Sequence, residues 1–256
     1  MMRKLMGAVG IALVVALAGC TSAPDTRATD AEEQPLIVFA AASLQGAFDE
    51  LSEAFEAEHP EHPVAEIRYD GSQALATQLI DGADVDIIAF ANEQSIEPVV
   101  TAGVAAQPTI FATNTLQIAV APGNPQGIDA LADLADPALT VVLCAAEVPC
   151  GAASQTLLTD AGVSVAPASE ETNVTAVVRR VVDGEADAGL VYATDVAGAA
   201  GQLEGITPEN ADVAVNRYPI AVATAPQSPS GAQAFADFVV SDAGQAILAA
   251  HGFGAP

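Results

Sequence analysis

The chain has 256 residues, of which 51% are hydrophobic, and a formal net charge of −26 from 33 acidic and only seven basic residues. A field of that sign disfavours nucleic acid and anionic membrane surfaces as partners and is typical of a solubilising or salt-adapted surface. The length permits one large domain or two lobes with a sizeable core.

The first residues predict export. Two basic residues precede an apolar run over 5–18, and the run ends in "LAGC", the layout of a lipoprotein cleavage box. The run is shorter than the ~20 residues that a membrane-spanning helix needs. We therefore predict a signal peptide over 1–20, lipid attachment at Cys20 and a flexible polar tether over 21–34. The protein is then expected outside the cytoplasm, held at the cell membrane by its lipid.

Beyond residue 35, strand-like apolar runs alternate with amphipathic segments. The clearest helix follows Ser43, because Leu44, Phe48 and Leu51 belong to one apolar stripe with acidic residues on the other faces. Further helices are predicted at 73–80, 151–160, 174–182 and 231–250, and strands at 36–40, 64–69, 85–90, 116–121, 139–143, 187–192 and 213–222. This alternation predicts an α/β fold with mainly parallel sheets flanked by helices.

Two extended runs predict a division into lobes. "TNTLQIAVAPGN" and "DVAVNRYPIAVAT" both continue past an ordinary strand length, as a chain crossing between two lobes would. The predicted first lobe comprises 35–118 and 218–256, and the second comprises 119–217. Open α/β sheets bind ligands outside the carboxyl ends of their strands, so we expect a ligand in the cleft between the lobes.

Two serines stand between a strand and a helix. Ser43 follows the first predicted strand, and Ser72 follows the turn "DG" before the second helix. Each is predicted to cap its helix, with the first free N–H groups pointing out beside it. Taken singly, either serine is accounted for as a plain helix cap.

Other helix starts and one phenol repeat this arrangement. Helices are predicted to begin at "VPCGAAS" and at "ETNVTAVV", where Thr172 or Asn173 can cap, and Tyr192 ends the strand "DAGLVY". Together these groups predict a neutral shell of hydrogen-bond donors for a tetrahedral oxyanion. Such a shell favours a fully deprotonated dianion, such as molybdate, tungstate or sulfate, over phosphate. Tyr192 alone fits a core or rim position equally well.

The remaining cysteines lie six apart in "CAAEVPC". Cys144 and Cys150 can close a small disulfide loop in an oxidising exterior. Two thiols without further ligands nearby are too few for a cysteine metal site.

Five motifs resemble one family. "FAAASL", "GSQALATQL", "EVPCG", "NV" at 173–174 and "GLVYATD" occur in the order and spacing of the periplasmic molybdate-binding proteins of ABC importers. The resemblance implies a two-lobed periplasmic binding protein that delivers molybdate or tungstate to a permease. We expect this protein to be a monomer and to bind no cofactor besides the anion. The resemblance also implies the ligand donors: hydroxyl and backbone N–H of Ser43 and Ser72, backbone N–H of Cys150 and Val174, and the Tyr192 hydroxyl.

The chain departs from this family at two places. The family commonly has a small residue such as Ala where this chain has Cys150, a change that a backbone contact survives. It often has Ser-Ala-Asp after the third strand, where this chain reads Phe90-Ala91-Asn92. Any contribution of that loop to the site stays open.

Two other classes of protein compete with this interpretation. An enzyme with a serine nucleophile needs a base, yet His59, His62 and His251 are not at predicted strand ends and no Gly-x-Ser-x-Gly elbow is present, so we predict no enzyme. A binding protein for sulfate or for a metal ion such as ferric iron is the alternative. The acidic residues near strand ends are interpreted as solvated loop charges or caps rather than metal ligands: Asp84, Asp86, Asp187 and Asp195.

Overall fold

The computed structural model describes residues 34–256 as ten strands and eight α-helices with three short 3-10 turns. The predicted signal peptide, Cys20 and the tether up to residue 33 lie outside the described residues. The elements in chain order are β1 Leu36–Ala41, α1 Gln45–Glu58, β2 Val64–Asp70, α2 Ser72–Ile80, β3 Ile87–Ala89, α3 Glu93–Thr101, β4 Thr109–Asn114, β5 Leu116–Val120, β6 Val141–Cys144, α4 Pro149–Asp160, β7 Ser169–Glu171, α5 Val174–Val182, β8 Ala188–Tyr192, α6 Ala193–Gly198, β9 Glu204–Ile206, β10 Asn216–Val222, α7 Pro229–Val240 and α8 Asp242–Ala250.

The strands form two five-stranded sheets, which define two lobes. The first sheet has the order β2-β1-β3-β10-β4 and the second has the order β7-β6-β8-β5-β9. Alternate residues of β1 face opposite sides of the first sheet, so Val38 packs with Phe48 on one side and Phe39 packs with Leu75 on the other. The second sheet has its own core, in which Val177 of α5 packs against Leu190 of β8 and its neighbours. The prediction of a two-lobed α/β fold is confirmed.

Each sheet contains one reversed strand, so the sheets are mixed. In the first sheet β10 is antiparallel to both β3 and β4, whereas β1 is parallel to β2 and β3. In the second sheet β5 is antiparallel to β8 and β9, whereas β6 is parallel to β7 and β8. The reversed strand is in each case the one that follows a crossing between lobes. Mainly parallel sheets were predicted, and the reversed strands are the correction.

The two crossings are short. Only Thr115 separates β4 in the first sheet from β5 in the second, and β10 returns the chain to the first sheet at Asn216. Both crossings lie within the extended runs that the sequence singled out. The sheets place Leu116–Ile118 with the second lobe and Asn216–Arg217 with the first, a few residues from the boundaries predicted at 118/119 and 217/218.

Several elements lacked a sequence signal. Helix α3 contains Pro98, which hides its pattern, although Asn92 caps it by accepting a hydrogen bond from the Ser95 N–H at 2.9 Å. Strands β7 and β9 are three-residue edge strands without alternation. The helix predicted over 231–250 is two helices, because Ser241 has extended backbone and caps α8. Among the described residues, no helix is long and apolar enough to cross a membrane.

Candidate functional site

A small cavity lies where helix starts of the two lobes meet. Its volume is about 20 Å³, above the roughly 10–15 Å³ that one water molecule needs. In this arrangement of the lobes it accommodates only a compact ligand. The structure brings together at this cavity all five residues that the sequence proposed as ligand donors: Ser43, Ser72, Cys150, Val174 and Tyr192.

Ser43 is not the helix cap that its position suggested. It lies inside a 3-10 turn, Ala42–Leu44, and Leu44 precedes α1 without a side-chain cap. The half-buried Ser43 hydroxyl instead lies 3.0 Å from the Tyr218 hydroxyl. The 3-10 turn lies between β1 and α1, so Ser43 is not at the cap position of the α-helix. Ser43 lines the cavity instead.

Ser72 also differs from its predicted capping role. It is the first residue of α2, and Gly71 occupies the cap position. The buried Ser72 hydroxyl accepts a hydrogen bond from the Ala91 N–H at 3.1 Å. Since the hydroxyl accepts there, its own proton is available to another acceptor. The contact also gives the loop 90–92 a place in the site, because Ala91 lines the cavity.

Cys150 stands in the first turn of α4, after Pro149 at the first helical position. Pro at this position costs no hydrogen bond, since the first N–H groups of a helix are free. A disulfide joins Cys150 to Cys144, with the Cα atoms 5.7 Å apart. Gly151 permits the tight loop, because a Cβ there would lie 1.8 Å from the Ala145 carbonyl oxygen.

Val174 begins α5, and Asn173 caps that helix. The Asn173 side-chain oxygen accepts from the Ala176 N–H at 3.0 Å, which leaves the N–H of Val174 at the cavity free of this cap. Of the two candidates for the cap, Thr172 and Asn173, the structure selects Asn173.

Asp70 corrects the prediction of a wholly neutral wall. Its carboxylate lies at the end of β2 and lines the cavity. One carboxylate oxygen accepts from the Gly71 N–H at 2.7 Å and from the Asn173 side-chain amide at 3.2 Å. The sequence interpretation treated Asp70 only as a turn residue and missed that the strand carries it to the cavity. These two donors partly offset its charge.

Tyr192 ends β8 and is only 1% exposed. Its hydroxyl accepts a hydrogen bond from the Asn216 side-chain amide at 2.9 Å. Burial, and then the nearby Tyr218 and Asp195, raise the pKa of the Tyr192 phenol well above its ordinary value, so the phenol keeps its proton. Tyr192 is therefore a neutral group that can donate a hydrogen bond.

Sequence reasoning missed a buried polar network behind the cavity. Asn114 donates to the Thr194 hydroxyl at 2.8 Å and to the Tyr218 hydroxyl at 3.5 Å. Asn216 donates to the Ala91 carbonyl at 2.8 Å as well as to Tyr192. Burial raises the pKa of Tyr218 above its ordinary value. Polar residues within apolar runs, such as Asn216 and Tyr218 in "NRYPIAV", are the only signal the sequence offers.

The histidines and the remaining acidic residues lie elsewhere. His251 is 2.8 Å from Glu50, His59 and His62 lie near Glu61, and none of the three lines the cavity. Asp86 is fully buried rather than a solvated loop charge, and its carboxylate accepts backbone N–H groups of Ile37, Gln227 and Ser228. Within residues 34–256, no group of three or more His, Cys, Asp or Glu is placed to hold a metal ion.

Two sheet-based lobes with a donor-lined cavity between them define the class of two-lobed binding proteins. The sequence model of the family described as bacterial extracellular solute-binding protein matches residues 36–254, and the chain belongs to this family. The protein therefore functions outside the cytoplasm.

Individual proteins agree with this membership. The chain is 41% identical to Molybdate-binding protein ModA of Mycobacterium tuberculosis (strain ATCC 25618 / H37Rv), over 98% of this chain and 97% of the relative. The solved periplasmic molybdate-binding protein of Azotobacter vinelandii has a TM-score of 0.76 at 20% identity, covering 86% of this chain and 99% of that one. The sulfate-binding protein SubI of Mycobacterium tuberculosis H37Rv has a TM-score of 0.73 at 20% identity, covering 86% of each chain. The resemblance inferred from the sequence motifs is confirmed, and the solved structures show the same fold.

Proposed function

We propose that this protein binds molybdate or tungstate outside the cytoplasm and delivers the anion to the permease of an ABC importer. The observation that carries the proposal is the convergence of donors from both lobes on one small cavity. Ser43 and Ser72 come from the first lobe, and Cys150, Val174 and Tyr192 from the second. The relative at 41% identity, named as a molybdate-binding protein, supports this choice of ligand.

The proposed donors are hydroxyl groups and helix N-termini. Helices α2, α4 and α5 all begin at the cavity. The first N–H groups of a helix have no partner within it and carry partial positive charge, so they attract an anion without a formal cation. The hydroxyls of Ser43, Ser72 and Tyr192 add donors between them. Because each of these groups donates, they favour an oxyanion that needs no acceptor for a proton of its own. Asp70, which also lines the cavity, already accepts hydrogen bonds from the Gly71 N–H and the Asn173 amide.

Binding is proposed to hold the two lobes together. Neither lobe supplies all of the proposed donors by itself. The anion therefore binds the closed arrangement of the lobes more tightly than an open one and shifts the population towards the closed arrangement. Closure would then signal the loaded state to the permease. We further propose a monomer, anchored to the cell membrane through lipid on Cys20, with no cofactor and no catalytic role.

The test is calorimetric titration of the chain lacking residues 1–20 with molybdate, tungstate, sulfate, phosphate and ferric ion. Tight binding of molybdate and tungstate with weak binding of sulfate and phosphate supports the proposal. Preference for sulfate would transfer the function to a sulfate receptor with the same donor set. Binding of ferric ion alone would replace the oxyanion site by a metal site, and no binding would refute the proposal.

Ser43→Ala tests the site itself. Loss of a hydrogen bond to a charged ligand costs about 1.5–3 kcal/mol, which corresponds to roughly 10- to 100-fold in Kd. Ser52→Ala is the matched control, because the Ser52 hydroxyl is exposed on α1 and donates to the Asp49 carbonyl at 2.9 Å, away from the cavity. Equal molybdate affinity of the two variants would remove Ser43 from the ligand set.

A further inference from the structure

Two asparagines occupy the crossings between the lobes. Asn114 is the last residue of β4 and Asn216 is the first residue of β10. The two residues are paired in the ladder between these strands, and they are 4% and 6% exposed. Both side chains reach hydroxyl groups at or next to the cavity, Asn216 directly to Tyr192 and Asn114 to Tyr218.

The contacts of Asn216 fix the direction of its hydrogen bond to Tyr192. The side-chain nitrogen lies 2.8 Å from the Ala91 carbonyl oxygen and 2.9 Å from the Tyr192 hydroxyl oxygen. A carbonyl oxygen can only accept, so the amide must present its NH2 group to it rather than its oxygen. The two N–H bonds of that group are then used by Ala91 and Tyr192. Tyr192 is the acceptor, and its own proton must point elsewhere.

The proton of Tyr192 has two neighbouring destinations. One is the hydroxyl of Tyr218. The rings of Tyr192 and Tyr218 are in edge-to-face contact, with their centroids 6.0 Å apart. The other is the cavity, which Tyr192 lines. A bond to an ionised acceptor is roughly twice as strong as one between neutral groups. When an oxyanion occupies the cavity, the phenol proton therefore turns to the anion.

Asn114 orders a second hydroxyl in the same way. Its side-chain oxygen accepts from the Thr115 N–H at 3.0 Å, so its nitrogen faces Thr194 and Tyr218. Tyr218 thus receives one hydrogen bond and can give its proton to the Ser43 oxygen at 3.0 Å. The Ser43 proton is then left for the cavity. This path is weaker at its first step, because 3.5 Å is a long hydrogen bond.

We propose that Asn216 is a positioning residue that fixes the Tyr192 phenol as a donor to the bound oxyanion, and that Asn114 does the same for Ser43 through Tyr218. The inference rests on the proposed function, since it concerns the donors to that anion. Asn114 and Asn216 also form the two crossings between the lobes, which we call the hinge. The hinge therefore fixes which groups of the site donate hydrogen bonds. A site so ordered accepts an anion's lone pairs and offers no phenol or serine lone pair to a proton on the ligand.

A double-mutant cycle tests the role of Asn216. The variants are Asn216→Leu, Tyr192→Phe and the double variant, and Kd for molybdate is measured by titration calorimetry on folded protein. We expect Tyr192→Phe to weaken binding about 10-fold and Asn216→Leu several-fold, with the double variant no weaker than Tyr192→Phe alone. This result would show that Asn216 acts through the Tyr192 hydroxyl.

A merely structural role gives a different outcome. If Asn216 only supports the hinge, the two losses multiply in the double variant, and the proposal is overturned. Asn210→Leu is the control, because Asn210 donates to Leu157 and Asp160 in the second lobe and its change should leave Kd unaltered. Asn216→Ser replaces Asn216→Leu in the cycle if the larger change prevents folding. Failure of the unsubstituted protein to bind molybdate would instead refute the proposed function, and with it this inference.

Discussion

The Asp70 carboxylate of the first lobe accepts a hydrogen bond from the Asn173 side-chain amide of the second lobe at 3.2 Å. Next to it, the Gln73 amide donates to the Thr172 carbonyl oxygen at 3.0 Å. Both bonds cross the cleft beside the cavity, so the structure represents the closed arrangement of the lobes. The two bonds therefore contribute to the stability of this closed arrangement.

Gly71→Ala should hinder this closure. Gly71 has φ −59°, which any residue adopts, and the atoms of its own lobe nearest to an added Cβ are the amide atoms at the end of the flexible Gln73 side chain, at 2.7 Å and 2.9 Å. The Gln73 side chain can move away from the added Cβ, so we expect the first lobe to tolerate alanine. The added Cβ would lie 2.4 Å from the Thr172 carbonyl oxygen across the cleft. We expect a rise of about 10-fold or more in Kd for molybdate, with the unfolding temperature of the free protein nearly unchanged. Gly198→Ala is the control, since nothing lies within 4 Å of a Cβ there. Unchanged affinity of Gly71→Ala would mean that the ligand does not require this degree of closure.

Ser72→Ala should reduce stability as well as affinity. The Ser72 hydroxyl is the partner of the buried Ala91 N–H at 3.1 Å, and alanine leaves that N–H unsatisfied. We expect a loss of about 1–3 kcal/mol in the free energy of unfolding by urea, measured without ligand. Thr77→Ala on the exposed face of α2 should change it by less than about 0.5 kcal/mol. Equal stability of both variants would show that Ala91 has another partner, such as water.

Reduction of the disulfide should destabilise the protein but leave the ligand response intact. The bridge joins residues six apart, and closing so short a loop contributes about 2 kcal/mol in the chain-entropy account. For the double variant Cys144→Ala, Cys150→Ala we expect the unfolding temperature to fall by roughly 4–8 °C. Molybdate should still raise that temperature, because the proposed contact of Cys150 is its backbone N–H. Loss of the molybdate effect would make the bridge a requirement of the site.

Asp195 should make stability fall as the pH rises. Burial raises the pKa of Asp195 from 3.8 to about 7, although its bond from the Tyr192 N–H at 2.8 Å favours the ionised form. Because the folded state binds the proton more tightly than the unfolded state, the free energy of unfolding should decrease between pH 4 and 7. Asp195→Asn keeps an acceptor for Tyr192 and does not titrate, so this part of the slope should vanish. Urea unfolding at pH 4.5 and 7.5 gives the change in the free energy of unfolding for the unsubstituted protein and for Asp195→Asn. The same change in both proteins would contradict a raised pKa of Asp195.

The sequence identified the cavity residues because their signals are local. A strand, a short turn and a helix start are all visible within ten residues around Ser43, Ser72 or Val174, and the fold brings such turns to one edge of each sheet. Their exact hydrogen bonds were not visible. Ser43 bonds to Tyr218, which is 175 residues away, and Ser72 bonds to Ala91 in another loop.

The asparagines of the hinge show what local reasoning leaves out. Asn114 and Asn216 each look like an ordinary polar residue at the end of an apolar run. Their burial follows only from the pairing of β4 with β10, and that pairing joins Asn114 to Asn216, which are 102 positions apart in the chain. Asp70 is a similar case, since its partner Asn173 lies in the other lobe.

The strand order also has a consequence for how the chain assembles. The second sheet is built from the continuous stretch Leu116–Ile206, so all its strands are present once that stretch exists. The first sheet differs, because β10 lies between β3 and β4, and the other side of β4 has only an isolated bridge between Thr113 and Gly254. A chain that ends before Asn216 can therefore complete only the second lobe, and β4 remains an unpaired edge until the last forty or so residues arrive.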